Sequence, residues 1–124
     1  MKTSRLEQLA REEVARLLRR LPADVSAVAE ALPVFFFARP TAEMIRRDHL
    51  EPDLLGLFVG SPYAEAMASD DVLPPGILLF LQNLWDYANG EEEAFREEIR
   101  VTYLHELGHS LGLEEEDLEQ RGLE

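Results

Sequence analysis

Three short apolar runs, Val34-Phe35-Phe36-Phe37-Ala38, Leu54-Leu55-Gly56-Leu57-Phe58-Val59-Gly60 and Ile77-Leu78-Leu79-Phe80-Leu81-Gln82, interrupt a chain whose other apolar residues recur at helical spacing. Each run is short, and proline or glycine lies close to its ends, which favours strands over helices. The first is aromatic and sits between Pro33 and Pro40, the second closes on Gly60-Ser61-Pro62, and the third follows a turn-rich connector that holds Asp70-Asp71 and Pro74-Pro75. With helical stretches on both sides, the expected fold class is α+β, a small three-stranded sheet packed with helices. None of the runs approaches the roughly 20 apolar residues that cross a bilayer, so the expected protein is soluble with no membrane partner.

The helical stretches carry their own punctuation. Thr3 or Ser4 can cap a first helix, with Glu7 at the capping-box position after Ser4; Leu6, Leu9, Val14, Leu17, Leu18 and Leu21 form its apolar stripe and Pro22 ends it. A short helix over residues 24–31 is expected next, and residues 41–49 read as a helical turn or a loop. After Asn89-Gly90, acidic residues lead into Phe95, Ile99, Tyr103, Leu107 and Leu111 at near-helical spacing, which predicts a helix over about residues 91–111. Gly112 stands where a C-cap glycine belongs, and Leu113 can fold back on the last turn.

The 124 residues suffice for one hydrophobic core, so a single domain over residues 1–124 is expected. Cysteine is absent, which removes disulfides and thiolate metal sites and leaves His, Asp and Glu as possible ligands. The first residues lack an apolar core followed by a small-residue cleavage site, so a cytoplasmic protein is expected. A net charge of −13 repels phosphate backbones and anionic membrane surfaces, and nucleic acid is excluded as an expected partner. The acids gather in Glu91-Glu92-Glu93, Glu97-Glu98 and the run from Glu114 to Glu119, on both sides of the last helix. Such runs read first as solvated surface that also concentrates cations.

Inside that helix lies His105-Glu106-Leu107-Gly108-His109. Residues four apart share a helical face, so both imidazoles can reach one metal ion while Glu106 lies beside the water that the metal activates. His105 and His109 are therefore candidate zinc ligands and Glu106 the candidate general base, taking a proton from the water and passing it to a leaving amine. Catalytic zinc takes three protein ligands and keeps an open position. The other histidine, His49, lies in Arg47-Asp48-His49-Leu50-Glu51 without ligand spacing and is expected to play no metal role. The acidic segment after Gly112 is the nearer supply of a third ligand.

The segment from His105 to Glu119 resembles the signature of the small bacterial zincin-like metallopeptidases, the minimal zincins. The resemblance extends more loosely to the upstream strands and to the start of the helix near Glu91. It implies a compact α+β fold, zinc on the motif helix, and a peptidase acting on a peptide or protein substrate. By matching position His105 and His109 are zinc ligands and Glu106 the catalytic acid/base; Glu115, three residues past Gly112, is the first choice for the third ligand and Asp117 the second. Metzincins carry a third histidine where this chain has Glu115 and a methionine turn downstream, whereas Met1, Met44 and Met67 all precede the motif.

Zincin peptidases pair an edge strand with the extended substrate. The run beginning at Ile77 is the candidate by its nearness to the motif helix, with a plain core strand as the equal alternative. Phe35, Phe36, Phe37 and Tyr103 read as core; Trp85 and Tyr87 can line a cleft or pack. Two other functions stay in view. One is a metal- or peptide-binding module on the same fold without proteolysis. The other is a zinc endoribonuclease, which the charge, Glu106 and the missing third histidine oppose.

Overall fold

The computed structural model describes residues 1–60, 73 and 75–112. Among these lie five helices and three strands: α1 (Thr3–Leu18), α2 (Ala23–Glu30), β1 (Val34–Phe37), α3 (Ala42–Asp48), β2 (Gly56–Val59), β3 (Gly76–Phe80), α4 (Leu81–Tyr87) and α5 (Glu92–Ser110). The class is α+β, as expected.

The sheet has the order β1-β3-β2, with β1 parallel and β2 antiparallel to the central β3. All five residues of β3 are buried. Ile77 and Leu79 face the larger core, built with α1 and α5, while Leu78 and Phe80 face a smaller one around Met44. Both faces of β3 are thus covered, which is why its sequence is apolar throughout rather than alternating. Of the two readings of this strand, substrate-pairing edge or plain core strand, the second holds: it is paired on both sides, and among the described residues the edges are β1 and β2.

The strand also ends earlier than its apolar run. Its ladder stops at Phe37 opposite Phe80 on one side and Gly56 opposite Leu79 on the other. With no neighbour left to pair, Leu81 and Gln82 turn into α4, and the Gln82 N–H donates to Ala38 O at 2.9 Å. At the other end Gly76 adopts φ +146°, and a Cβ there would run into Pro33 O. That carbonyl also accepts from Ile77 N–H at 2.9 Å, so the close approach fixes where β3 begins.

The core lies between α1, α5 and one face of the sheet. α1 buries Leu6, Leu9, Val14 and Leu17, the expected stripe, but starts one residue early, with Lys2 as N-cap and no side-chain cap. The Thr3 hydroxyl instead accepts from Gln82 Nε2 at 3.4 Å. Residues 41–49 resolve into α3, capped by Thr41 Oγ1, which accepts from Met44 N–H at 3.1 Å. Arg96 of α5 reaches Glu13 at 3.1 Å and Glu12 at 3.2 Å, tying the two long helices together. Asn89 and Gly90, both at positive φ, turn the chain from α4 into α5, and Trp85 packs edge-on against Phe95 with ring centroids 5.7 Å apart. No helix among the described residues is long and apolar enough to cross a membrane.

Candidate metal centre

α5 forms because Phe95, Ile99, Tyr103 and Leu107, each four residues from the last, lay one apolar stripe against the core. Tyr103 is 1% exposed, and burial pushes its phenol up to about 12. The helix stops at Ser110, and Gly112 takes φ +72° with its N–H bonded to His109 O at 3.0 Å, the expected left-handed cap.

That frame sets the positions of His105, Glu106 and His109. One ligand-capable atom from each lies within 4.8 Å of the others, and among the described residues this is the one group of three or more such side chains. The imidazoles face each other across one helical turn, ring centroids 4.4 Å apart. His49 stays outside the group, at the left-handed end of α3. Glu115 and Asp117, the expected third ligands, lie outside the described residues, as does the turn-back of Leu113. Two imidazole nitrogens on one helical face suit zinc, which takes N and O donors, and the Glu106 carboxylate lies beside them.

The three differ in exposure. Glu106 is 8% exposed, whereas the His109 side chain is 45% exposed. Glu106 Oε1 accepts from the backbone N–H of Phe58 at 2.8 Å and lies 3.3 Å from His109 Nδ1. A proton on Nδ1 would donate there and leave the lone pair on Nε2 for a metal.

The Phe58 contact follows from the ladder. Leu55 O accepts from Phe80 N–H at 3.0 Å, and antiparallel bonding alternates, so Leu57 and Val59 face β3 while Gly56 and Phe58 turn their N–H and C=O to the other edge, which is open among the described residues. Glu106 meets β2 at that edge.

Beside the group opens a cleft of about 1010 Å³. His105 and Glu106 line it with Thr102 from α5, Gly56 from β2, and Asn83 and Tyr87 from α4. Asn83, 5% exposed, donates from Nδ2 to Pro52 O at 2.8 Å and Leu54 O at 2.9 Å and accepts from Arg39 at 2.7 Å. It pins the segment leading into β2 onto α4. Tyr87 is 63% exposed and lines the cleft, while Trp85 packs against the core, so the two aromatics divide between the expected roles. Phe35, Phe36 and Phe37 pack against the two cores, and none lines the cleft.

Phe58, Thr102, Gly56 and Asn83 were not singled out by sequence reasoning. Gly56 carried a usable signal, since a glycine inside an apolar strand marks a place where another part of the chain comes close.

A family model described as zincin-like metallopeptidase matches residues 29–123, more than half of the chain. No curated protein matches it.

Proposed function

The chain belongs to the zincin-like metallopeptidase family, and from that premise we propose that it is a zinc-dependent peptidase that hydrolyses peptide bonds with Glu106 as general base. The observation that carries this reading is the meeting of His105, Glu106 and His109 within 4.8 Å, with His105 and Glu106 in the wall of a cleft that Gly56 of β2 also lines.

His105 and His109 would hold the metal from one helical face, with Glu115 as the first choice of third ligand and Asp117 as the second. A bound zinc supplies Lewis acidity, which lowers the pKa of water to about 7 and polarises a carbonyl. Glu106 takes the proton of the attacking water on its carboxylate and hands it to the leaving amine. Its burial removes competing bulk water from the proton's path. An extended peptide would lie along the edge of β2, where Gly56 and the Phe58 carbonyl turn backbone groups outward beside the Phe58 N–H that Glu106 holds, rather than along β3. With a net charge of −13 the surface disfavours nucleic acid in place of peptide.

A second reading, a metal- or peptide-binding module without turnover, has one observation in its favour. The Glu106 carboxylate already has a partner within the fold, as a structural carboxylate would.

The test is elemental analysis of purified protein beside His109→Ala, followed by a peptide-library screen with Glu106→Gln. About one zinc per chain, lost in His109→Ala and kept in Glu106→Gln, together with cleavage lost in Glu106→Gln, is the expected result. Zinc with no cleavage in any variant favours the binding module, and no zinc after zinc is supplied overturns the peptidase reading and the metal-binding form of the second.

A further inference from the structure

We infer that the backbone N–H of Phe58 is a positioning group for Glu106, and that the contact of Gly56 with Thr102 is the spacer that brings it there. The catalytic meaning of this device rests on the peptidase reading; the contact itself does not.

Gly56 and Phe58 are two residues apart and point the same way from β2, while Thr102 and Glu106 are one turn apart on the same side of α5. Two strand residues advance about 6.6 Å and four helical residues about 6 Å, so strand and helix stay in step over this stretch. Gly56 therefore meets Thr102 where Phe58 meets Glu106. A Cβ at Gly56 would lie 2.6 Å from Thr102 Cγ2 and 3.2 Å from Leu78 O. Thr102 is buried, and a β-branched side chain in a helix is confined to few χ1 rotamers, so its methyl has little room to give. Any side chain at position 56 drives β2 and α5 apart and draws the Phe58 N–H away from Glu106 Oε1, now 2.8 Å distant.

The bond costs the sheet nothing, because the Phe58 N–H faces the open edge and has no partner in the ladder. Among the described residues both polar contacts of the carboxylate, to Phe58 and to His109, fall on Oε1. On this inference Oε2 handles the proton, and the plane of the carboxylate is held from the strand side. A base displaced by as little as 1 Å costs on the order of 100-fold in rate.

The experiment combines amide exchange with kinetics on zinc-loaded protein. In nitrogen-15-labelled wild type the Phe58 amide is expected to exchange slowly despite its edge position. It should stay protected in Glu106→Gln, whose amide oxygen still accepts, and lose protection in Glu106→Ala and Gly56→Ala. Gly56→Ala should lower kcat by about 10- to 100-fold with zinc content unchanged. Gly56→Ala/Thr102→Ser, which removes the clashing methyl, should recover most of the rate and the protection. A Phe58 amide that exchanges freely in wild type, or that ignores Glu106→Ala, overturns the inference. So does a Gly56→Ala defect that Thr102→Ser does not relieve. Wild type that binds zinc but cleaves nothing sinks the peptidase reading instead, and the exchange data still decide the contact.

Discussion

Asn83→Asp keeps the shape of a buried side chain and abolishes two of its hydrogen bonds. The Asn83 amide is oriented unambiguously: Nδ2 faces two carbonyls, Pro52 O and Leu54 O, and Oδ1 faces the Arg39 guanidinium. With Asp in its place, an oxygen points at both carbonyls, which lose their donors. A buried acceptor left unpaired costs about 1–3 kcal/mol, and Pro52 and Leu54 line the open cleft, where water can replace part of the loss. That gives about 2–3 kcal/mol for the pair. Arg39 gains a carboxylate, but it is half exposed and already paired with Asp86 at 2.9 Å, so the offset stays below about 1 kcal/mol. The net destabilisation is about 2 kcal/mol, which for a chain of this size lowers Tm by roughly 6–10 °C. The assay is thermal unfolding at pH 7 followed by circular dichroism, with chelator present so that metal does not mask the difference. Asp86→Asn, which breaks only the exposed ion pair, should move Tm by less than about 2 °C. Asn83→Asp melting within that same margin would refute the account, because the segment before β2 would not then depend on the Asn83 donors.

Zinc at about 100 times its Kd should stabilise wild type by about 2.7 kcal/mol and leave His109→Ala unchanged, as read by melting with zinc or with chelator. Tyr103 ionises at about 12 in the folded chain and near 10 when unfolded, so its contribution is complete below pH 10 and is lost as pH rises toward 12. Wild type should therefore lose about 2–3 kcal/mol relative to Tyr103→Phe across that window, measured by urea unfolding at each pH. Gly76→Ala meets both a positive φ and the Pro33 carbonyl, and should cost about 2–3 kcal/mol in urea unfolding; a loss below 0.5 would contradict the close approach drawn at the start of β3.

What the sequence revealed divides along one physical line. The spacing of Phe95, Ile99, Tyr103 and Leu107 depends on helix geometry alone, so α5, its glycine end and the grouping of His105, Glu106 and His109 were all legible. The first strand was legible because prolines bound it. The run from Ile77 to Gln82 was not divisible by pattern, since a strand buried on both faces and a short helix behind it are equally apolar. Only its pairing partners, ending at Phe37 and Gly56, decide where strand becomes helix. The order β1-β3-β2 is likewise a matter of contacts far apart in sequence, and it alone decides between the edge and core readings of the third run.

The same line runs through the site itself. His109, half exposed at the end of α5, answers to the helix and its cap, whereas Glu106, 8% exposed, answers to a strand 48 residues away. In a water-poor setting the few dipoles around a carboxylate act with more force than they would in solvent. A change in β2 therefore reaches Glu106 first and His109 only through the 3.3 Å contact between them, whereas a change at the end of α5 reaches His109 first. Under the peptidase reading, metal affinity and turnover should then be separable by mutation: substitutions around Gly56 lower kcat at constant zinc content, and those around His109 lower zinc content first. A site in which every β2 substitution released zinc in proportion to lost activity would mean that strand and helix hold the metal together, and the division drawn from burial would fail.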